Sequence, residues 1–207
     1  MTARIHETAI VEPGVSLGDG SSIWDNALVR GPGTTIGRSC IIGAKSYIAP
    51  GVAIGDRVKI NGNVFVCTAV TLESGVMVAA GTIFTNDLLP RATSLILRRC
   101  EPSEADEATL PTLVCEGATI GAGSIIGCDL RIGRFAMIGM GSIVTKSIPD
   151  FALAVGQPAR VVGFVDRAGR VIRRFESPPL SLTHVCADGY RYDIVDGALI
   201  DRPPADR

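Results

Sequence analysis

Aliphatic residues recur every six positions along most of this chain. Stepping from Ile5 gives Val11, Leu17, Ile23 and Val29. One extra residue falls within 30–35, and the register resumes at Ile36, Ile42, Ile48, Ile54, Ile60, Val66, Leu72, Val78 and Phe84. After a long break it returns at Val114, Ile120, Ile126, Ile132, Ile138 and Val144. Of these twenty positions nineteen are Ile, Leu or Val, and the other is Phe84. Neither the 3.6-residue helical period nor simple strand alternation produces this pattern. It predicts a parallel β-helix, in which each hexapeptide is a short strand plus a turn and three close one triangular coil. The periodic aliphatic residue points inward, and a coil buries its interior only against its neighbours, which is why many repeats are needed. Twenty hexads make roughly seven coils. Gly often follows the aliphatic residue, as at Gly18, Gly37, Gly43, Gly55, Gly121, Gly133 and Gly139. There it is expected to supply turn conformations that other residues resist.

Two segments leave the period. Residues 85–113 form a long insertion in the β-helix, which spans 1–163, and a loop of this length in a regular solenoid is usually functional or disordered. Its middle, around Cys100–Ala108, reads as solvated and mobile. Residues 164–207 form a small C-terminal β extension, with short strands near 170–174 and 190–200, Asp-Gly turns and a frayed end.

Composition narrows the function classes. A net charge of −1 over 207 residues argues against a nucleic-acid binder. No uncharged apolar run is long enough to span a membrane, and no leader is evident, so a soluble cytoplasmic protein is expected. Gly is 24 of 207 residues and aromatics are 5%, which suits tight turns between aliphatic strands. Six scattered cysteines with no C-x-x-C pair read as reduced, mostly packed thiols.

The hexapeptide period resembles the left-handed β-helix acyltransferase superfamily, and the left hand is implied by that resemblance alone. The segments Glu116-Gly-Ala-Thr-Ile-Gly-Ala-Gly-Ser, Gly139-Met-Gly-Ser-Ile-Val-Thr-Lys-Ser-Ile-Pro and Val155-Gly-Gln-Pro-Ala-Arg160 resemble its acyl-CoA-binding end. A narrower likeness lies in Ile83-Phe-Thr-Asn-Asp-Leu-Leu-Pro-Arg91, which is similar to the F-T-N-D-x-x-P-R segment of nucleotide-sugar N-acetyltransferases acting on 3-amino-3,6-dideoxyhexoses. Ile23-Trp24, Gly55–Asn61, Val70–Glu73 and a Cys186…Tyr190 hairpin fit the same subgroup. The chain departs from it where a His often follows the Ile-Trp pair (Asp25, Asn26 and Leu28 here), at Cys67 for a frequent Tyr, and at Met140 for a small residue.

The resemblance implies a homotrimer with active sites between subunits. It also implies acetyl-CoA or another acyl-CoA as co-substrate, with no metal, nucleic acid or membrane involved. Asn86 and Asp87 are the candidate catalytic residues. The Asn86 amide would hold the amine or a neighbouring hydroxyl, and Asp87 would orient the ammonium. Arg91, Asp25 and Asn26 are candidates for the nucleotide-linked amino sugar. Ala122, Met140 and Gly141 are candidates for backbone contact with CoA, and Lys146 and Arg160 for its phosphates. Trp24 reads most simply as a packed or interface aromatic.

The residues themselves favour an amine acceptor. Hydroxyl acylation in this superfamily generally uses a His base, and the two histidines here, His6 and His184, lie far in sequence from the insertion. An amine of pKa near 8 is partly neutral at pH 7 and needs mainly positioning. The expected activity is N-acylation of a dTDP-3-amino-3,6-dideoxyhexose. The alternatives are a UDP-linked 3-amino sugar, an O-acetyltransferase of the same fold, or a non-catalytic β-helix scaffold.

Overall fold

The computed structural model describes residues 2–93, 96–98, 100, 105–177, 179, 181–187, 189–195 and 198–204. Twenty short strands run from β1 (Arg4–Ile5) to β20 (Ile143–Val144), nearly all of two residues. No helix occurs among the described residues. The strands stack in register into three parallel sheets, here called faces A, B and C. Arg4 pairs with Ser22 and Lys59 with Met77, so one coil takes 18 residues. Between Ser22 and Ile41 it takes 19, the extra residue lying in the 30–35 turn. Seven coils begin on face A at Arg4, Ser22, Ile41, Lys59, Met77, Thr119 and Met137. The seventh closes through Ile148, which bridges to Ile132.

The periodic residues form the core. From Ile23 to Val144 every one is buried, and most are inaccessible to solvent. Each buried Ile contributes roughly 1.5–3 kcal/mol through transfer from water. Ile5, in the first coil, is 49% exposed because no coil lies beneath it. Buried hydroxyls at the corners are satisfied. Ser21 Oγ donates to Gly37 O at 2.7 Å and accepts from Cys40 N at 2.9 Å. Ser46 Oγ bonds Asn61 O and Val64 N in the same way.

The glycines that follow the aliphatic residue do not have the role expected from sequence. Gly37 has no positive φ, and a Cβ there would meet the carbonyl carbon of Gly55 in the next coil at 2.6 Å. These glycines permit close stacking. The left-handed conformation falls two positions later. Gly81 (φ +71°) adopts it, but so do Asn26, Ser39, Lys45, Arg57 and Asn63.

The insertion leaves face B after β14 (Ile83–Phe84) and returns at β15 (Thr112–Val114). Its neck is closed by an antiparallel bridge between Asp87 and Thr109 and by Leu110 N donating to Asn86 O at 2.8 Å. Farther out, Thr93 bridges Cys100. Residues 101–104, in the stretch read as mobile, lie outside the described residues, as do 205–207 of the tail.

Beyond the seventh coil β21 (Ala152–Gly156) continues face A in parallel. Then β22 (Ala159–Val165) and β23 (Val171–Arg174) extend it in antiparallel fashion. A separate antiparallel sheet joins β24 (Thr183–Val185), β25 (Arg191–Val195) and β26 (Ala198–Arg202). Cys186 and Gly189 close the tight turn before β25, Gly189 N donating to Cys186 O. The Asp196-Gly197 turn lies outside the described residues. This extension packs its own aromatic core, with Phe151 stacked on Phe135 and edge-on to Tyr192. Asp201 ties it to the prism, accepting from Arg134 at 3.2 Å and Arg167 at 2.6 Å.

Candidate active site

The predicted residues fall on two edges of the prism, both bordering face B. Along the A/B edge lie Asp25 and Asn26 in the second coil, Ala122 in the sixth, and Met140 and Gly141 in the seventh. Turns of successive coils stack directly there, Gly141 N donating to Ala122 O at 2.8 Å. Met140 is 83% exposed. Arg160 joins the same line, because the β21–β22 hairpin turns at this edge. Gln157 Nε2 pins its tip to Gly141 O at 2.6 Å. Arg160 is exposed, and its Nη1 donates only to Ala159 O at 2.9 Å. A phosphate-bearing ligand would meet an uncommitted guanidinium.

On the B/C edge lie Asn86 and Asp87, at the neck of the insertion, with Lys146 two coils on. The Asn86 main chain is fixed by Leu110, and its side chain is half-buried. Asp87 Oδ1 accepts from Leu89 N at 2.8 Å. That is the local turn an Asn-Asp pair commonly makes. Among the described residues the other Asp87 carboxylate oxygen has no hydrogen-bond partner, and the side chain is exposed. Arg91 is exposed and donates to Pro90 O. A single chain therefore does not gather the predicted residues around one point. Asn86 and Asp87 are separated from Ala122, Met140, Gly141 and Arg160 by the width of face B.

What lies between them is apolar. The outward residues of face B are Ile10, Leu28, Tyr47, Phe65, Ile83, Ile125 and Ile143, paired in one continuous register. Tyr47 and Phe65 stack at 4.9 Å. Phe65 and Ile83 are each 43% exposed and Ile10 is 59% exposed. The six-residue count tracks the inward position and passes over this column. Its signal was an apolar residue immediately before the inward one at all seven face B strands.

The two histidines lie apart from Asn86. His6 Nδ1 sits 3.0 Å from Thr8 Oγ1 in the first coil, and His184 lies on β24 opposite Tyr192. All six cysteines are free, and five are buried. Burial pushes the Cys67 thiol up to about 11, so it is unsuited to act as a nucleophile at neutral pH. Among the described residues no His, Cys, Asp or Glu side chains cluster to hold a metal ion. A cleft of about 510 Å³ on face C contains none of the predicted residues. It is floored by Thr35, Ala53 and Thr71 and rimmed by Glu73 and Glu116, carboxylates that would repel a phosphorylated ligand.

Residues 33–68 match the family model for the bacterial transferase hexapeptide (six repeats). Over those residues the chain is similar to the hexapeptide-repeat transferases, and its three stacked parallel sheets make it a parallel β-helix. Over 88 residues, 42% of this chain, it is 42% identical to the dTDP-3-amino-3,6-dideoxy-α-D-galactopyranose 3-N-acetyltransferase of Aneurinibacillus thermoaerophilus, covering 43% of that enzyme. The chain spans less than half the length of the curated relatives it matches. Among solved structures, the UDP-N-acetylglucosamine acyltransferase LpxA of Bacteroides fragilis aligns at a TM-score of 0.61 and 20% identity, over 79% of this chain and 61% of that one. The N-acyltransferase AntD of Bacillus cereus, solved with dTDP and 3-hydroxybutyryl-CoA, aligns at 0.54 and 22% identity, over 81% and 82%. At these identities the chain shares their fold. Of its described residues, no helix is long and apolar enough to cross a membrane.

Proposed function

We propose that this protein is a CoA-dependent N-acyltransferase acting on the amine of a nucleotide-linked amino-deoxysugar, with a dTDP-3-amino-3,6-dideoxyhexose as the favoured acceptor. It works as a homotrimer whose sites lie between protomers. One observation carries the reading: the two halves of the predicted site lie on the two edges bordering an exposed apolar face. Packing that face against a second copy shields its hydrophobic column from water. It also brings the Asn86 edge of one protomer toward the Ala122–Met140 edge of the next. The dTDP-sugar acetyltransferase activity of the relative from A. thermoaerophilus supports the acceptor, and the CoA and dTDP bound by AntD support both substrates.

In this arrangement the pantetheine arm lies along the A/B edge, beside the small turn residues Ala122 and Gly141. Arg160 and Lys146 meet its phosphates from the two protomers. Asn86 orients the sugar amine toward the thioester carbonyl, and the open oxygen of Asp87 steadies it. The amine attacks, the C–S bond breaks, and the proton lost from nitrogen neutralises the departing thiolate, giving an amide and free CoA. Positioning supplies the acceleration.

The test is thiol release from acetyl-CoA with dTDP- and UDP-linked 3-amino sugars, with mass analysis of the product. Acetamide formation that collapses on Asn86→Ala supports the reading. Silence with every amino sugar, while acetyl-CoA still raises the melting temperature, removes the acceptor. Silence without CoA binding returns the protein to a scaffold role.

A further inference from the structure

The A/B edge changes chemistry half-way along. In the fifth to seventh coils its turns are Ala79-Ala80-Gly81, Gly121-Ala122-Gly123 and Gly139-Met140-Gly141. In the second to fourth they are Trp24-Asp25-Asn26, Gly43-Ala44-Lys45 and Asn61-Gly62-Asn63. The turns form one column: Lys45 N donates to Asp25 O at 3.0 Å, Asn63 N to Ala44 O at 2.9 Å and Gly81 N to Gly62 O at 3.2 Å. One half therefore presents small residues and the apolar Met140, and the other an aromatic ring, a carboxylate, a cation and amides.

We propose that this N-terminal half is the subsite for the pyrimidine nucleoside diphosphate of the acceptor, with Trp24 as the stacking platform for the base and Lys45 as the partner of the diphosphate. The inference rests on the proposed activity and assigns its nucleotide end. Trp24 is 46% exposed in this chain, with the Arg4 guanidinium over one face of its ring, 5.8 Å from the centroid. The exposed part of the indole can stack a base. Beside it, Asp25 Oδ2 accepts from Asn26 Nδ2 at 3.3 Å. An acceptor next to an amide with a second N–H to give complements the imide edge of thymine or uracil, an N–H flanked by carbonyls. Cytosine lacks that N–H. Lys45 is exposed one coil further along, where the diphosphate would follow the base. Measured along the prism axis, from the second coil to the fifth, the level of the adjoining protomer's Asn86 edge in the proposed assembly, there are three strand spacings, about 14 Å. An extended base–ribose–diphosphate–hexose bridges such a length.

Trp24 is the only tryptophan in the chain, so intrinsic fluorescence reports this site alone. Titration of the full chain with dTDP and with UDP is expected to change that fluorescence saturably, with CDP weaker. Trp24→Ala is expected to raise KM for the nucleotide sugar about 10-fold or more, leaving KM for acetyl-CoA unchanged. Trp24→Phe should recover most of the loss, and Lys45→Ala should weaken dTDP binding and flatten its salt dependence. Acetyl transfer and calorimetric dTDP binding that persist with unchanged fluorescence, and with KM untouched by Trp24→Ala, would overturn the subsite while sparing the activity. Absence of both nucleotide binding and transfer would overturn the activity itself, and the subsite with it.

Discussion

Faces B and C share one backbone, one period and one kind of interior, and differ only in what points outward. Face B presents Ile10, Leu28, Tyr47, Phe65, Ile83, Ile125 and Ile143. Face C presents Ser16, Thr35, Ala53, Thr71, Leu113 and Arg131. The inward residues hold each coil together and have no stake in this difference. An apolar column along the length of one face, with the candidate residues on its two borders, is the surface to which the proposed assembly assigns a second copy.

The sharpest way to break the comparison is a matched pair within the fourth coil. Phe65→Lys sets a cation in the column and is expected to cost an interface about 2–4 kcal/mol. The oligomer should separate in sedimentation velocity and transferase activity should vanish. Thr71→Lys, on face C of the same coil, should leave both unchanged. Next in size are the two edges. Asn86→Ala is expected to lower kcat on the order of 100-fold, as for loss of one positioned polar group, with the assembly intact. Ala122→Arg obstructs the other edge and should raise KM for acetyl-CoA at least roughly tenfold by excluding the pantetheine arm, with KM for the sugar little changed.

The smallest effect belongs to face C itself. Its Arg131 pairs with Asp150 at 2.9 Å, and Asp150 also accepts from Arg134. Burial raises the Asp150 carboxyl, but the two arginines outweigh it and hold the group below the ordinary carboxylate range. A carboxyl depressed in the folded state stabilises above its unfolded value, about 3.9, and loses that contribution as pH falls through the folded value. Asp150→Asn should cost roughly 0.5–1 kcal/mol at pH 7. In melts against pH the two proteins should converge below pH 4, with activity at neutral pH unchanged.

Most of the prism was legible in the sequence, because an inward aliphatic residue every six positions has a single geometric solution. The roles of its glycines were not. Gly37 and Gly81 look alike in a sequence, yet one sits where the next coil leaves no room for a Cβ and the other where φ is positive. Only stacked coils distinguish them. The extension was legible as strands but not as a core, since Phe135, Phe151 and Tyr192 meet across separate segments with no period linking them. Asn86 and Ala122 were both recognised by resemblance. Their placement on different edges of one chain follows from counting turns around the prism, a step that local motifs do not contain.

The central claim is that each site takes its Asn86 edge from one protomer and its Ala122 edge from the next. Mixing two impaired variants, assayed with acetyl-CoA well below its wild-type KM so that both defects show, tests it directly. Asn86→Ala and Ala122→Arg chains are co-expressed in equal amounts, purified as mixed oligomers and assayed with acetyl-CoA and the amino-sugar nucleotide. In a ring of protomers some interfaces then contain neither defect, and random mixing predicts recovery of about a quarter of the wild-type rate. Mixed oligomers no more active than either parent would place both edges of each site in one chain and contradict the account.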